Sequence, residues 1–216
     1  MSIKVTIVPV TPYQQNCSVV KCEQTNAIAL VDPGGDTDRI LAAVEQLDGK
    51  VEKILLTHGH MDHCAASSEL RDSLGIPIEG PQQEDSFWID KLPEWCRMAG
   101  MAEAPPFVPD RWLEDGDTVT VGAQQMQVFH CPGHTPGHVV FLHDGARLAF
   151  VGDVLFQGSI GRTDFPRGNH ADLISSIRDK LFPLGDDITF VPGHGPTSSF
   201  GHERATNPFV ADPNYG

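Results

Sequence analysis

Apolar and polar positions alternate in short runs near the start of the chain. Three runs, at residues 5–10, 18–21 and 27–31, are rich in β-branched side chains and predict β-strands. The third run ends in the turn sequence Asp-Pro-Gly-Gly. From residue 36 the apolar positions are spaced three or four apart, which predicts a helix that ends at Gly49.

Helical and strand patterns then alternate along the rest of the chain. Helical spacing occurs again at residues 61–74, where Gly75 provides a stop, and at residues 171–181. Further strands are predicted at 53–56, 118–121, 125–129, 138–142, 148–151 and 188–191. Groups of strands interleaved with helices predict an α/β fold, in which two sheets pack together and carry helices on their outer faces.

One segment departs from this regular pattern. Residues 81–110 contain five prolines and read as a short helix followed by an irregular excursion. We therefore predict a lid or insertion at 81–110. The length of 216 residues favours one domain over the whole chain, 1–216.

Composition narrows the possible partners. Hydrophobic residues make up 40% of the chain and charged residues 20%, as in folded globular proteins. The net charge of −14 disfavours nucleic acid, and no apolar stretch is long enough to span a membrane. Five irregularly spaced cysteines are typical of reduced thiols, so we expect a cytoplasmic protein, and we expect it to be a monomer.

Candidate chemistry is concentrated in a short stretch after the strand predicted at 53–56. Four ligand-type side chains occur within six residues, namely His58, His60, Asp62 and His63. Ligands so close together cannot all close one tetrahedral site without strain, so we expect two neighbouring metal ions. Imidazole and carboxylate donors suit divalent zinc best, with iron or manganese as alternatives.

Three more candidate ligands follow apolar strands and stand next to glycines. They are His134, Asp153 and His194. A carboxylate can bind two cations with its two oxygens, whereas an imidazole nitrogen binds one. Asp153 is therefore the predicted bridging ligand, and the adjacent glycines are expected to allow sharp turns at the strand ends.

These motifs resemble those of a known family. In order, they read THGHMDH at 57–63, GHTPGH at 133–138, GD at 152–153 and GH at 193–194. This set resembles the metallo-β-lactamase-fold hydrolases, and within them the glyoxalase II (hydroxyacylglutathione hydrolase) group, in particular its short bacterial members that lack a C-terminal helical domain. The resemblance implies a four-layer αββα sandwich, with the metals at one edge of both sheets.

The resemblance also implies a division of the ligands and a reaction. His58, His60 and His134 would hold the first metal and Asp62, His63 and His194 the second, with Asp153 and a hydroxide bridging them. The bridging hydroxide would attack a small-molecule thioester, S-D-lactoylglutathione or a related hydroxyacyl-glutathione, and Asp62 would handle its proton. The alternative is a persulfide dioxygenase with a single iron. A non-catalytic metal-binding module has no positive support.

We expect substrate recognition to differ from that of the full-length family members, which add a C-terminal helical domain with glutathione contacts, since about twenty residues follow His194. Arg162 lies nine positions after Asp153, where the family places a cationic substrate contact. It is a candidate to bind a carboxylate, and an ion pair with Asp164 is the equal alternative. Pro196 stands where the family tends to have a tyrosine.

Two further residues near these motifs have candidate supporting roles. His138 is predicted to fix a ligand or loop by a hydrogen bond, with a plain structural role as the alternative. Asp32 either braces the histidine loop or serves only its own turn. Cys64 and Cys131 border ligands and are interpreted as packed small residues rather than nucleophiles.

Overall fold

Two large sheets form the centre of the molecule in the computed structural model, which describes residues 2–212. The first sheet has the order β1-β2-β3-β4-β5, with β1 Ile3–Val10, β2 Gln15–Cys22, β3 Ala27–Val31, β4 Lys50–Leu55 and β5 Ile78–Glu79. The second has the order β13-β12-β9-β8-β7-β6, with β6 Thr118–Val121, β7 Gln124–His130, β8 Val139–His143, β9 Leu148–Gly152, β12 Thr189–Pro192 and β13 Ser198–Ser199. A small hairpin joins β10 Leu155–Phe156 to β11 Ser159–Ile160.

The helices follow the strands in short segments. They are α1 Thr37–Leu47, α2 Met61–Cys64, α3 Ser67–Leu74, α4 Ser86–Asp90, α5 Leu92–Met98, α6 His170–Ser175 and α7 Phe200–Thr206. The helix predicted at 61–74 is broken between Cys64 and Ser67 into α2 and α3. The one predicted at 171–181 begins as α6, capped by the Asn169 side chain, and continues as a wider π-helix over Ser176–Leu181.

Three apolar clusters fill the spaces between the layers. The first includes Leu30 and Ile54 of the first sheet together with Ile40 of α1 and Leu70 of α3. A second fills the space between the sheets, with members such as Val20, Val31, Phe141 and Val191. The third places Leu173 and Ile177 against Phe190 of the second sheet, beside Phe200 of α7. Helices therefore cover the outer face of each sheet, and the predicted αββα sandwich is confirmed.

Strand direction brings the candidate ligands to one edge. In the first sheet β3, β4 and β5 run parallel, and in the second β9 and β12 run parallel. The loops that follow β4, β9 and β12 carry most of the candidate ligands. Parallel strands deliver their carboxyl ends to a common edge, which is where ligand sites form in such sheets.

The segment 81–110 packs on the first sheet. Trp88, Ile89, Leu92, Cys96 and Phe107 are buried in its apolar cluster or beside it. These contacts show how the segment packs, and its role as a lid stays a prediction. The assignment of a single domain over the whole chain also stays a prediction. Within residues 2–212, no helix has the length and apolar character required to cross a membrane.

Candidate metal centre

The loop after β4 delivers four ligand-type side chains in two different ways. His58 and His60 flank Gly59 between β4 and α2, and His60, which directly precedes α2, has extended backbone. Asp62 and His63 lie in the first turn of α2. The backbone changes from extended to helical between these two pairs, and the pairs belong to different clusters of ligand atoms.

Three histidines form the first cluster. The Nδ1 atom of His60 lies 3.2 Å from Nε2 of His58 and 3.0 Å from Nε2 of His134. All three side chains are buried. Three ring nitrogens that converge at this spacing match the donor set of a divalent metal ion such as zinc.

Asp62, His63 and His194 form the second cluster. Nε2 of His194 lies 3.2 Å from Oδ2 of Asp62, and Nε2 of His63 lies 3.9 Å from the same oxygen. His63 is fully buried, whereas the side chain of His194 is 29% exposed. This cluster therefore reaches the surface, unlike the first.

Asp153 lies between the two clusters. Its Oδ1 is 3.3 Å from Nε2 of His63, and its Oδ2 is 3.5 Å from Nε2 of His134 and 3.7 Å from Nε2 of His194. The two oxygens thus contact members of both clusters. This is the placement that a bridging carboxylate requires.

The outer nitrogens of the histidines show how the rings are held. Four of them contact oxygens: His58 contacts Thr57 Oγ1 at 3.0 Å, His63 contacts Asp32 Oδ2 at 2.9 Å, His134 contacts the Arg162 carbonyl at 2.8 Å and His194 contacts the Tyr13 carbonyl at 3.1 Å. A ring that donates its outer N–H to oxygen keeps a lone pair on its inner nitrogen. This is the usual arrangement behind metal-binding histidines.

His60 is held by aromatic rings instead. Its outer atom, Nε2, is buried and has no hydrogen-bond partner. Its ring lies nearly perpendicular to that of Trp88, with centroids 4.3 Å apart, and it also meets Phe165 edge-on at 4.8 Å. These apolar surfaces keep water away from the first cluster.

Asp32 braces the loop, as one of the two sequence interpretations proposed. Its carboxylate accepts hydrogen bonds from the Thr57 backbone N–H at 2.7 Å, from Thr57 Oγ1 at 2.6 Å and from His63 Nδ1 at 2.9 Å. Because the Thr57 hydroxyl donates to Asp32, it accepts from His58. Asp32 also has a left-handed φ of 53° in its own turn, so it belongs to the turn and braces the loop as well.

Burial and charge act in opposite directions on the ionisable groups. Burial lowers the pKa of His58 and His60 well below the usual value, and neighbouring imidazoles lower it further. Burial also opposes charge on His63, but the carboxylates of Asp153 and Asp62 outweigh it and raise the pKa of His63 well above its ordinary value. Burial disfavours the Asp153 anion, yet His63 and His134 bring the pKa of that carboxyl well below its usual range.

The donor set fits a cation. The His63 Nε2 and Asp153 Oδ1 atoms face each other in the interior, and neither makes a hydrogen bond. With Nδ1 of His63 donating to Asp32, a lone pair on Nε2 would face a carboxylate oxygen, which is repulsive unless a positive charge lies between them. A proton supplies that charge in the metal-free protein, as the raised pKa of His63 indicates, and a metal ion bound to both atoms would take its place.

Two glycines are needed for the close approach of these loops. Gly152 has φ +48°, and a Cβ there would lie 2.5 Å from Thr57 Oγ1 and 2.7 Å from the His138 ring. A Cβ on Gly193 would overlap Asp153 Oδ1 and the His63 ring. The expectation that glycine allows the ligands to come together is therefore met at these two positions.

The remaining sequence candidates lie around the clusters. His138 accepts a hydrogen bond on Nε2 from the Asp153 backbone N–H at 3.1 Å and stacks on His58 at 4.6 Å. Arg162 is exposed and forms a two-point ion pair with Asp164, at 3.0 and 2.9 Å. Burial raises the pKa of Cys131 to about 12 and that of Cys64 well above its usual value, so neither is a ready nucleophile.

Sequence reasoning missed Asp85, Thr57 and Trp88 as parts of the site. Asp85 is fully buried and accepts hydrogen bonds from both histidine loops. Burial raises its pKa to about 6, although these hydrogen bonds act to lower it. Its only sequence signal was an acidic residue just before a short helical pattern, which is common on protein surfaces. Thr57 stood in the motif THGHMDH but was given no role, and Trp88 carries no pattern that separates it from a core residue.

The fold and this set of buried donors define a metal-dependent hydrolase that takes divalent ions. The chain belongs to the metallo-beta-lactamase superfamily, whose family model matches residues 10–203. The hydroxyacylglutathione hydrolase GloC of Haemophilus influenzae is 44% identical over 96% of this chain and 98% of its own length. The resemblance inferred from the motifs is thereby confirmed.

Two solved structures are similar over nearly the whole chain. One, TTHA1623 in a di-iron-bound form, is 35% identical, with a TM-score of 0.87 over 95% of this chain and all of its own. The other, ETHE1 from Myxococcus xanthus, is 27% identical, with a TM-score of 0.80 over 96% of this chain and 84% of its own.

Proposed function

We propose that this protein is a binuclear hydrolase of glutathione thioesters, with S-D-lactoylglutathione or a related hydroxyacyl-glutathione as its substrate. The observation that carries the two-metal part is the pair of ligand clusters with Asp153 between them. The substrate class is supported by the name of the relative GloC, which shares 44% identity over nearly the full length of both chains.

The ligands favour zinc in both positions. Imidazole and carboxylate are good zinc donors, although iron and manganese accept the same set. The di-iron form of TTHA1623 supports iron as the first alternative. Metal supply as well as the donor set decides between these ions.

Two divalent ions at neighbouring positions lower the pKa of a water molecule and polarise a carbonyl oxygen, which is the chemistry of thioester hydrolysis. Asp153 holds the two clusters at a fixed separation. The Asp62 carboxylate, whose Oδ2 lies 3.2 Å from Nε2 of His194, would accept the proton of the attacking water. The leaving group departs as a thiolate, which is feasible because free thiols ionise at about pH 8.5.

Arg162 is the proposed contact for a glutathione carboxylate. Its guanidinium packs over Phe165, with 4.6 Å to the ring centroid, and Phe165 in turn meets the rings of His60 and His134. Arg162 therefore lies at the entrance to the site rather than in it. A substrate carboxylate would exchange with Asp164 for the same planar donors.

We further propose that the protein acts as a monomer on a small molecule in the cytoplasm, without nucleic-acid or membrane partners. The net charge of −14 would repel polyanions. All five cysteines are buried and unpaired, as expected in a reducing compartment.

Metal content and turnover, measured on the same preparation, test the proposal. We expect about two metal ions per chain and hydrolysis of S-D-lactoylglutathione, followed by loss of thioester absorbance, with Asp153→Ala as the inactive control. The second candidate is a persulfide dioxygenase, favoured by the likeness to ETHE1. One iron per chain, no hydrolysis, and oxygen uptake with glutathione persulfide would establish that activity instead.

A further inference from the structure

A further buried carboxylate contacts the loops of the three-histidine cluster. Asp85 precedes α4 and is fully buried. Its Oδ2 accepts hydrogen bonds from the Gly59 backbone N–H at 2.9 Å and from Thr135 Oγ1 at 2.8 Å. Its Oδ1 accepts from the Gly137 backbone N–H at 2.5 Å.

The donors to Asp85 belong to loops from different sheets. Gly59 lies between His58 and His60, in the loop that follows β4 of the first sheet. Thr135 follows His134, in the loop between β7 and β8 of the second sheet. One carboxylate therefore ties together the two loops whose histidines must converge at 3.0 to 3.2 Å.

Close packing reinforces these bonds. A Cβ on Gly137 would lie 2.6 Å from the Asp85 backbone nitrogen, and one on Gly59 would lie 3.1 Å from the Asp85 carbonyl oxygen. Trp88, three residues after Asp85, presents its ring to His60. The stretch from Asp85 to Trp88 thus touches the first cluster's loops and one of its rings.

We propose that Asp85 is a positioning residue for the metal ion of the three-histidine cluster. It accepts hydrogen bonds from the Gly59 and Gly137 backbone and from the Thr135 side chain, and from none of the five candidate histidines, unlike Asp32, which bonds directly to His63. This inference rests on the proposed function only in requiring that the cluster binds a metal. It does not depend on the substrate.

Asp85→Asn is the primary test because it keeps the shape of the side chain. The amide has a single oxygen, so its NH₂ group must face at least one N–H or O–H donor that the carboxylate satisfied. Glu203→Gln is a matched control. Glu203 is also fully buried and accepts from Gly158 N–H, Ser198 Oγ and Asn207 Nδ2, away from the histidine loops.

The readout is cobalt(II) binding to metal-free protein, followed by calorimetry and by the visible absorption of the bound ion. Both variants are made in a His194→Ala background, in which the three-histidine cluster keeps all its ligands. We expect Asp85→Asn to weaken cobalt binding by about 10- to 100-fold and to alter the absorption bands, as loss of a supporting hydrogen-bond partner does at metal sites. Glu203→Gln should lower the melting temperature without changing affinity or spectrum.

Equal cobalt affinity in Asp85→Asn and Glu203→Gln, with matching losses in melting temperature, would overturn the positioning role. If Asp85→Asn does not fold, Thr135→Val removes a single donor, and Thr135→Ser restores it. We then expect weaker binding in the first and recovery in the second, and no difference between them counts against the proposal. Failure of the proposed thioesterase activity would show as absent turnover with normal cobalt binding, which leaves this test intact.

Discussion

The two ligand clusters differ in how far they are withdrawn from water. His58, His60 and His134 are buried, and aromatic rings of Trp88 and Phe165 cover His60. In the second cluster the side chain of His194 is 29% exposed, and its Nδ1 contacts the carbonyl of Tyr13, in the exposed loop between β1 and β2. Asp153 therefore joins a closed half, the first cluster, to an open half, the second cluster.

The clusters also differ in charge. The first consists of imidazoles whose pKa is lowered by burial, so they are neutral and ready to bind a cation. In the second, two carboxylates raise the pKa of His63, so a proton competes with metal for its nitrogen. We infer that the first cluster holds its ion more firmly over a range of pH.

Removing the shared ligand should have the largest effect, because it damages both halves together. For Asp153→Ala we expect activity to fall by more than about 100-fold, since loss of a mere supporting partner already costs up to that much. Metal content should fall as well. Unchanged turnover and metal content in this variant would show that Asp153 does not bridge the clusters.

Asp32→Asn should distinguish the halves. Asp32 bonds directly to His63 and only through Thr57 to His58, so the second metal should be lost first, with about 10- to 100-fold weaker binding. Metal titration by calorimetry measures this. Asp187→Asn, an exposed carboxylate paired with Arg147, is the control and should bind both ions normally. Equally weaker metal binding at both clusters would show instead that Asp32 supports the two halves to the same extent.

Acid should empty the open half first. The pKa of His63 is raised in the folded, metal-free protein, so below that pKa its proton opposes metal binding, by about tenfold per pH unit. The lowered pKa values of His58 and His60 delay this competition in the first cluster to lower pH. Metal content after dialysis at decreasing pH should fall in two steps, and a single step for both ions would contradict the difference.

The smallest expected effect is on KM, through the ion pair of Arg162 and Asp164 at the entrance to the site. Exposed ion pairs contribute little, so Asp164→Asn should release Arg162 and lower KM for the thioester by about twofold, without changing kcat. Arg162→Ala should have the opposite effect and raise KM. Steady-state kinetics with both variants tests the pair, and a KM unaffected by Arg162→Ala would remove Arg162 from substrate binding.

The sequence was sufficient for the layers and the ligand motifs, because both depend on local pattern. Val20 and Ile54 follow strand periodicity, and His58 to His63 stand together in one loop. Asp85 could not be predicted, since its importance arises from hydrogen bonds to two loops that lie 26 and 52 residues away along the chain, at Gly59 and Gly137. The break in the helix predicted at 61–74 was equally hidden, because apolar spacing continues through it.

The ligands are divided between the sheets, with four on loops of the first and three on loops of the second. A bound ion is thus a reversible cross-link between two halves of the sandwich. The unfolded chain lacks this arrangement of ligands. Metal binding therefore shifts the folding equilibrium toward the native state, by a factor that rises with the concentration of free metal ion. Metal starvation would then expose the idle protein to proteolysis, so that the amount of enzyme in the cell, and not only its activity, follows the metal supply.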